Sequence, residues 1–171
     1  MKNFLITLII ILIPVKSFGL IEVDITRGNL NPLPIAVSPL SIDEESRKNF
    51  ENILKKKNIG SEISSIVENN LKVSGLFNPL NKDAFLQEPD IANLKPRFED
   101  WNLIKAQALI TGKVSYVEEK LRVEFRLWDV LAGKEMMALA FTTVPNNWRR
   151  VGHIITDKVY ERLTGEKGYF D

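Results

Sequence analysis

The sequence predicts an α/β fold: a mixed β-sheet with two main helices packed on one face. Three observations carry that prediction. Residues 108–117, 121–128 and 136–143 are apolar-alternating runs joined by short polar connections, the period-2 signature of adjacent strands. Residues 61–74 and 147–165 instead repeat apolar side chains at steps of three and four, a helical stripe that must be buried against another element. Finally, the chain of 171 residues is 44% hydrophobic and 26% charged, a globular composition with enough apolar material for one ordinary core.

Taken in order, the chain opens with a secretory signal. Met1 and Lys2 supply the positive end, residues 4–15 are almost wholly apolar, and Ser17 and Gly19 place small residues where a signal peptidase reads. Cleavage is expected after Gly19. The apolar run is broken by Pro14 and falls well short of the roughly 20 residues that span a bilayer. In the segment that follows, Ile21, Val23 and Ile25 alternate with Glu22, Asp24 and Thr26, which predicts a strand with one apolar face. Gly28, Pro32 and Pro34 then interrupt the ladder, so this strand is hinged off from the body, able to dock as an edge strand or to swing free. A second strand is expected at residues 35–37.

Residues 41–60 hold Asp43, Glu44 and Glu45 at one end and Lys55, Lys56 and Lys57 at the other, the charge order of a solvated helix. The next helix, residues 61–74, aligns Ile63, Ile66, Val67 and Leu71 on one face, and Gly75 stands where a left-handed cap is wanted. Pro89 and Pro96 with little periodicity predict a loop over residues 81–98, entering a short helix near residues 101–106. In the middle strand of the sheet Leu121, Val123, Phe125 and Leu127 point one way and Arg122, Glu124, Arg126 and Trp128 the other, so one face is core and one largely wet. The last helix carries Trp148, Val151, Ile155, Val159 and Leu163 on one stripe, ends at Gly165, and should cover the dry face.

Several function classes fall away. Without Cys, disulfides, thiolate-zinc sites and cysteine nucleophiles are excluded. Removal of residues 1–19 takes away Lys2 and Lys16 and no acid, leaving 21 basic and 22 acidic residues, a balance that opposes nucleic-acid binding. The only histidine, His153, sits two residues from Val151 and from Ile155, off the centre of the stripe, with no sequence context for a catalytic partner; we read it as structural or partly exposed. Sequence-adjacent acids such as Glu118 and Glu119 diverge and read as surface acids. Trp101, Trp128 and Trp148 read as core or core-edge residues, with a wet-facing Trp128 open to a protein contact. No catalytic residue, metal ligand, cofactor or small-molecule substrate is expected.

Five motifs in fixed order resemble one family over nearly the whole exported chain: I-x-V-x-I-T-x-G at residues 21–28, P-I-A-V-x-P at 34–39, S-G-L-F-x-P-L at 74–80, W-x-x-x-x-A-x-A-L-I-T-G-K-V at 101–114, and W-R-R-V-G-H-x-x-x-D-x-V-Y-E-x-L-T-G-E-K-G at 148–168. The family is TolB, the periplasmic component of the Tol-Pal system, and the match is to its N-terminal, anticodon-binding-like α/β domain. The resemblance implies a signal peptide at residues 1–19, a hinged TolA-binding strand at 20–31, the α/β domain at 32–165, and at 166–171 the start of a linker to a six-bladed β-propeller. That propeller, which binds Pal in the family, is not expected in this chain, which reads as the N-terminal domain alone. It further implies that Leu20, Ile21, Glu22, Val23, Asp24, Ile25, Thr26, Arg27 and Gly28 bind the C-terminal domain of TolA by strand addition, in the periplasm, without catalysis, supporting outer-membrane integrity and constriction at cell division. Two other readings stay open on residues alone: an exported domain of unrelated binding or hydrolytic function, and a truncated remnant.

Overall fold

The structure is a computed structural model that describes residues 21–23 and 31–171. The expected signal peptide and most of the expected first strand lie outside these residues. The described elements are β1 (Leu33–Val37), β2 (Ser41–Ile42), α1 (Glu44–Leu54), α2 (Ile59–Val73), β3 (Phe77–Pro79), α3 (Pro89–Leu94), α4 (Phe98–Leu103), β4 (Ala108–Val117), β5 (Lys120–Asp129), β6 (Lys134–Thr143) and α5 (Trp148–Thr164).

The sheet runs β3-β1-β4-β5-β6, with β2 also pairing β4. Strands β3, β1 and β2 lie parallel to their neighbours, whereas β4, β5 and β6 form an antiparallel meander, so the sheet is mixed as expected. Registers Ile110↔Leu127, Val114↔Val123 and Phe125↔Leu139 place these side chains on one face, since directly opposed residues share a face. On that face α2 and α5 contribute Ile63, Val67, Leu71, Val151, Ile155, Val159 and Leu163 to the main core, with Phe50 of α1 joining them. The two expected main helices on one face are both there. Gly75 and Gly165 follow α2 and α5 with φ of +75°, the left-handed conformation that stops a helix.

Three local expectations are corrected. The span expected as one solvated helix over residues 41–60 is divided. Ser41–Ile42 is a short strand, and Asp43 caps α1 by accepting from the Ser46 amide at 2.8 Å. Lys55 turns left-handed at φ 58°, and the Asn58 side chain caps α2. The lysine run therefore forms the connection between helices. Residues 81–98 hold α3, where Pro89 opens the helix and needs no amide partner, and α4 starts at Phe98, ahead of the expected residue 101. The opposite sheet face is also less wet than its charge pattern suggests, because Ala92, Trp101, Ala106, Leu109 and Val130 form a second, smaller core against it.

Buried polar groups hold this second layer. Gln87, 4% exposed, accepts from Trp101 Nε1 and from the Arg97 amide, both at 3.0 Å, and donates to the Lys95 carbonyl at 2.8 Å. On the main face Ser64 Oγ accepts from the Leu40 amide at 2.9 Å, and Gly60 lets α2 approach that strand end so closely that a Cβ would fall 2.1 Å from the Leu40 oxygen.

Two stability outcomes follow. Gly60→Ala is expected to lose about 1–3 kcal/mol by forced separation of α2 from residue 40; urea denaturation showing wild-type stability would contradict the close packing. Gln87→Ala, which orphans the buried Trp101 Nε1 and two backbone groups, is expected to lose about 1–3 kcal/mol or more. In that variant the fluorescence of Trp101 should shift to the red, and an unshifted spectrum at wild-type stability would show that Gln87 does not organise the second layer.

Candidate interaction segment and its anchoring site

Of the nine residues expected to form the interaction segment, Ile21, Glu22 and Val23 are described, and Leu20, Asp24, Ile25, Thr26, Arg27 and Gly28 lie outside the described residues. Ile21 is half-buried, Glu22 exposed and Val23 buried, 6% exposed, which is the alternation the sequence shows. The three residues do not join the sheet. They lie instead against the C-terminal end of α5. The Val23 amide donates to the Leu163 carbonyl at 2.7 Å, one of the last helical carbonyls, which have no partner within the helix. The segment thus completes the helix end, and Val23 enters the main core beside it.

The second tie is to β5. Its dry-face alternation, Leu121, Val123, Phe125 and Leu127, continues to Asp129, so a carboxylate occupies a position where the pattern calls for an apolar side chain. Asp129 is 1% exposed. Its Oδ1 accepts from the Ala132 amide at 2.8 Å, closing the turn after β5, and its Oδ2 accepts from the Ile21 amide at 3.1 Å. Burial of a carboxylate is tolerable only when its oxygens are satisfied, and the N-terminal segment supplies half of that satisfaction. Sequence reading passed over Asp129. An acid in phase with four apolar residues was the available signal. Beside this anchor lies a cleft of about 660 Å³ lined by Val23, Pro32, Leu33, Asn78 and Gln107 among others.

Helix α5 holds the other end of the chain as well. Asp157 accepts from the amides of Phe170 and Asp171 at 2.8 and 3.1 Å, and Arg150 forms a two-nitrogen contact with the Asp171 carboxylate at 2.9 and 3.0 Å. Those Arg150 hydrogen bonds hold the Asp171 carboxyl below the usual range. Tyr160 meets Phe77, Tyr169 and Phe170 edge-on. Residues 166–171, expected to begin a linker, lie along the helix.

The remaining candidates stay apart from one another. His153 Nδ1 faces Asn70 Nδ2 at 2.9 Å, and Asn70 also donates to Thr156 Oγ1. Asn70 is the only hydrogen-bonding partner of His153 among the described residues, so the ring serves the seam between α2 and α5 and has no nucleophile beside it. A groove of about 550 Å³ opens there, lined by Glu62, Ile66, Asn69, Arg149 and His153 among others. Glu118 and Glu119 form an exposed turn with φ of 49° and 59°. Trp101 and Trp148 are buried. Trp128 is only half-buried, donates to Thr111 Oγ1 at 3.0 Å and packs on Phe98. Among the described residues no three His, Cys, Asp or Glu side chains gather as metal ligands, and no helix is long and apolar enough to cross a membrane.

Comparison with known proteins agrees with the fold and with the motif series. The family model described as the TolB amino-terminal domain matches residues 21–136. The Tol-Pal system protein TolB of Pelagibacter ubique (strain HTCC1062) is 82% identical over 164 residues, which is 96% of this chain and 37% of that protein. The chain thus spans little more than a third of that relative's length. The crystal structure of TolB from Acinetobacter baumannii matches with a TM-score of 0.63 at 21% identity, covering 81% of this chain and 30% of that one, and shares the fold. With the family model covering most of the sequence and a relative at this identity, the chain belongs to the TolB amino-terminal domain family.

Proposed function

We propose that this chain is the protein-binding N-terminal module of a TolB protein of the Tol-Pal system, exported to the periplasm, and that its segment of residues 20–28 binds the C-terminal domain of TolA. The observation that carries the reading is the 82% identity to a Tol-Pal system protein TolB over almost the whole chain. The part assigned to the segment is supported by its attachment. Ile21 and Val23 are held by two main-chain donors and by burial of one small apolar side chain, a hold that a competing sheet edge can replace.

In this proposal the module works by contact and does no chemistry, in keeping with a His153 ring that hydrogen-bonds an amide side chain. Its alternating face enters the TolA groove while its backbone extends the TolA sheet. Ordering each residue of the segment costs on the order of 1–2 kcal/mol, so the contact is weak and reversible. Outer-membrane integrity and constriction at division are the processes this contact serves. Pal binding belongs, by the family resemblance, to a propeller and not to this module.

Titration of the chain of residues 20–171 with the TolA C-terminal domain, followed by NMR, tests the assignment. Chemical-shift changes are expected at residues 21–23 and at their anchors Asp129 and Leu163, and none in a chain beginning at Pro32. Equal changes in both chains would move the binding surface elsewhere, and no change in either would remove the TolA assignment from this module. A separate expectation concerns specificity within the segment: Ile21→Asp and Val23→Asp together should weaken TolA binding at least tenfold, whereas Glu22→Ala, at an exposed position, should leave it within about twofold.

A further inference from the structure

The groove between α2 and α5 has no part in the proposed function. It opens beside the point where the two helices come closest, at a residue of α5 that has no side chain: a Cβ on Gly152 would fall 2.9 Å from Ile66 Cγ2. Its volume of about 550 Å³ lies within the roughly 300–1,000 Å³ of ligand sites. Ile66 and Trp148 give it apolar surface, and Asn58 and Asn69 line it with side-chain amides.

The hydrogen-bonding character of the groove is fixed from beneath. The Thr156 hydroxyl donates to the Gly152 carbonyl at 2.8 Å, so Thr156 Oγ1 is left to accept from Asn70 Nδ2 at 3.2 Å. That orients the Asn70 amide, and its second hydrogen meets His153 Nδ1 at 2.9 Å. With Nδ1 accepting, the neutral ring carries its proton on Nε2, a donor with no partner among the described residues. Arg149 is the second free donor. Among the described residues it is the only arginine whose guanidinium is in neither an ion pair nor a hydrogen bond. It lies over the Trp148 ring at 4.2 Å, a stacking that holds its planar fork in place. The acids nearest the groove are already taken, Glu62 by Lys56 at 2.6 Å and Asp171 by Arg150 at 2.9 Å.

We propose that this groove binds an acidic peptide segment of a partner protein, with a glutamate or aspartate carboxylate received by Arg149 and by His153 Nε2–H. Unspent donors beside an unpaired guanidinium select an anion, and the arginine fork matches the two oxygens of a carboxylate. A neighbouring apolar residue of the peptide covers Ile66. The amides of Asn58 and Asn69 can each donate and accept, which is what a peptide backbone requires. This site is separate from the segment proposed to bind TolA. That segment docks at Leu163, about 21 Å along α5 from Arg149 at 1.5 Å per residue, so the two can be occupied together.

The probe is the acetylated, amidated peptide Leu-Glu-Leu-Glu-Leu, titrated into the chain of residues 20–171 and followed by NMR. Saturable shifts are expected at Arg149 Nε–H, the His153 ring and the side-chain amides of Asn69 and Asn70. The peptide Leu-Gln-Leu-Gln-Leu should bind at least tenfold more weakly, as should the acidic peptide to Arg149→Gln. Ser65→Glu, which adds a like charge to the lining, should weaken the acidic peptide to the same degree. Arg149 and Ser65 are exposed, so neither change disturbs the core. Lys95→Gln removes an equal charge from the layer on the other side of the sheet and should alter affinity less than twofold. Equal affinity for the two peptides, or equal affinity of the unchanged chain and Arg149→Gln for the acidic one, overturns the proposal. So does an absence of shifts, or shifts centred on residues 21–23. Acetate moving the same signals at the same concentration overturns the peptide assignment and leaves only a carboxylate subsite. None of these outcomes bears on the TolA reading, which has its own titration.

Discussion

The contact on which the rest of the molecule depends is the burial of the α5 stripe against α2 and the dry face of β5 and β6. Trp148, Val151, Ile155, Val159 and Leu163 are each nine-tenths buried or more, and each such side chain contributes roughly 1.5–3 kcal/mol relative to exposure. Described residues near both ends of the chain are tied to this helix. Its Leu163 carbonyl receives Val23, its Asp157 receives residues 170 and 171, and its Tyr160 packs on Tyr169 and Phe170. A helix so fixed can present weak sites at its surface, because losing one of them does not disturb its own packing.

The docked N-terminal segment is such a site. Ordering three residues costs about 3–6 kcal/mol in backbone freedom. Against this stand one neutral hydrogen bond of about 1 kcal/mol and one to a carboxylate of about 1.5–3 kcal/mol, with about 1.5–3 kcal/mol from burying Val23. The two sides cancel to within a few kcal/mol. A segment poised in this way changes state on a small addition such as a partner with an open sheet edge. In the proposed function that near-cancellation lets one stretch of chain serve as part of the domain and as a ligand for another protein.

Long periodic elements were legible in the sequence because period and burial coincide in them. The β4, β5 and β6 alternation and the α2 and α5 stripes correspond to strands and helices within two residues at each end. The motif series in turn pointed to the family that the comparisons show. Shorter pieces were not legible. Pro89 reads as a breaker unless it opens the helix, as it does in α3. The helix-to-helix connection at residues 55–58 depends on a left-handed Lys55, a conformation that lysine does not advertise. The anchoring site was half legible. Ile21 and Val23 announced an apolar face, but the surface that receives them is assembled from residues more than 100 positions away, and only the out-of-place polarity of Asp129 marked it beforehand.

If docking on α5 and binding to TolA are alternative states of one segment, the hydrogen bond from the Val23 amide to the Leu163 carbonyl must exist in one state and not in the other. Scalar coupling transmitted across that bond, from the amide nitrogen of residue 23 to the carbonyl carbon of residue 163, reports it directly by NMR. The account predicts a measurable coupling in the free chain of residues 20–171 and its disappearance at saturating TolA C-terminal domain, with the α5 helix otherwise unchanged. Coupling that persists undiminished in the saturated complex would show that the segment stays docked while TolA is bound, and would contradict the account.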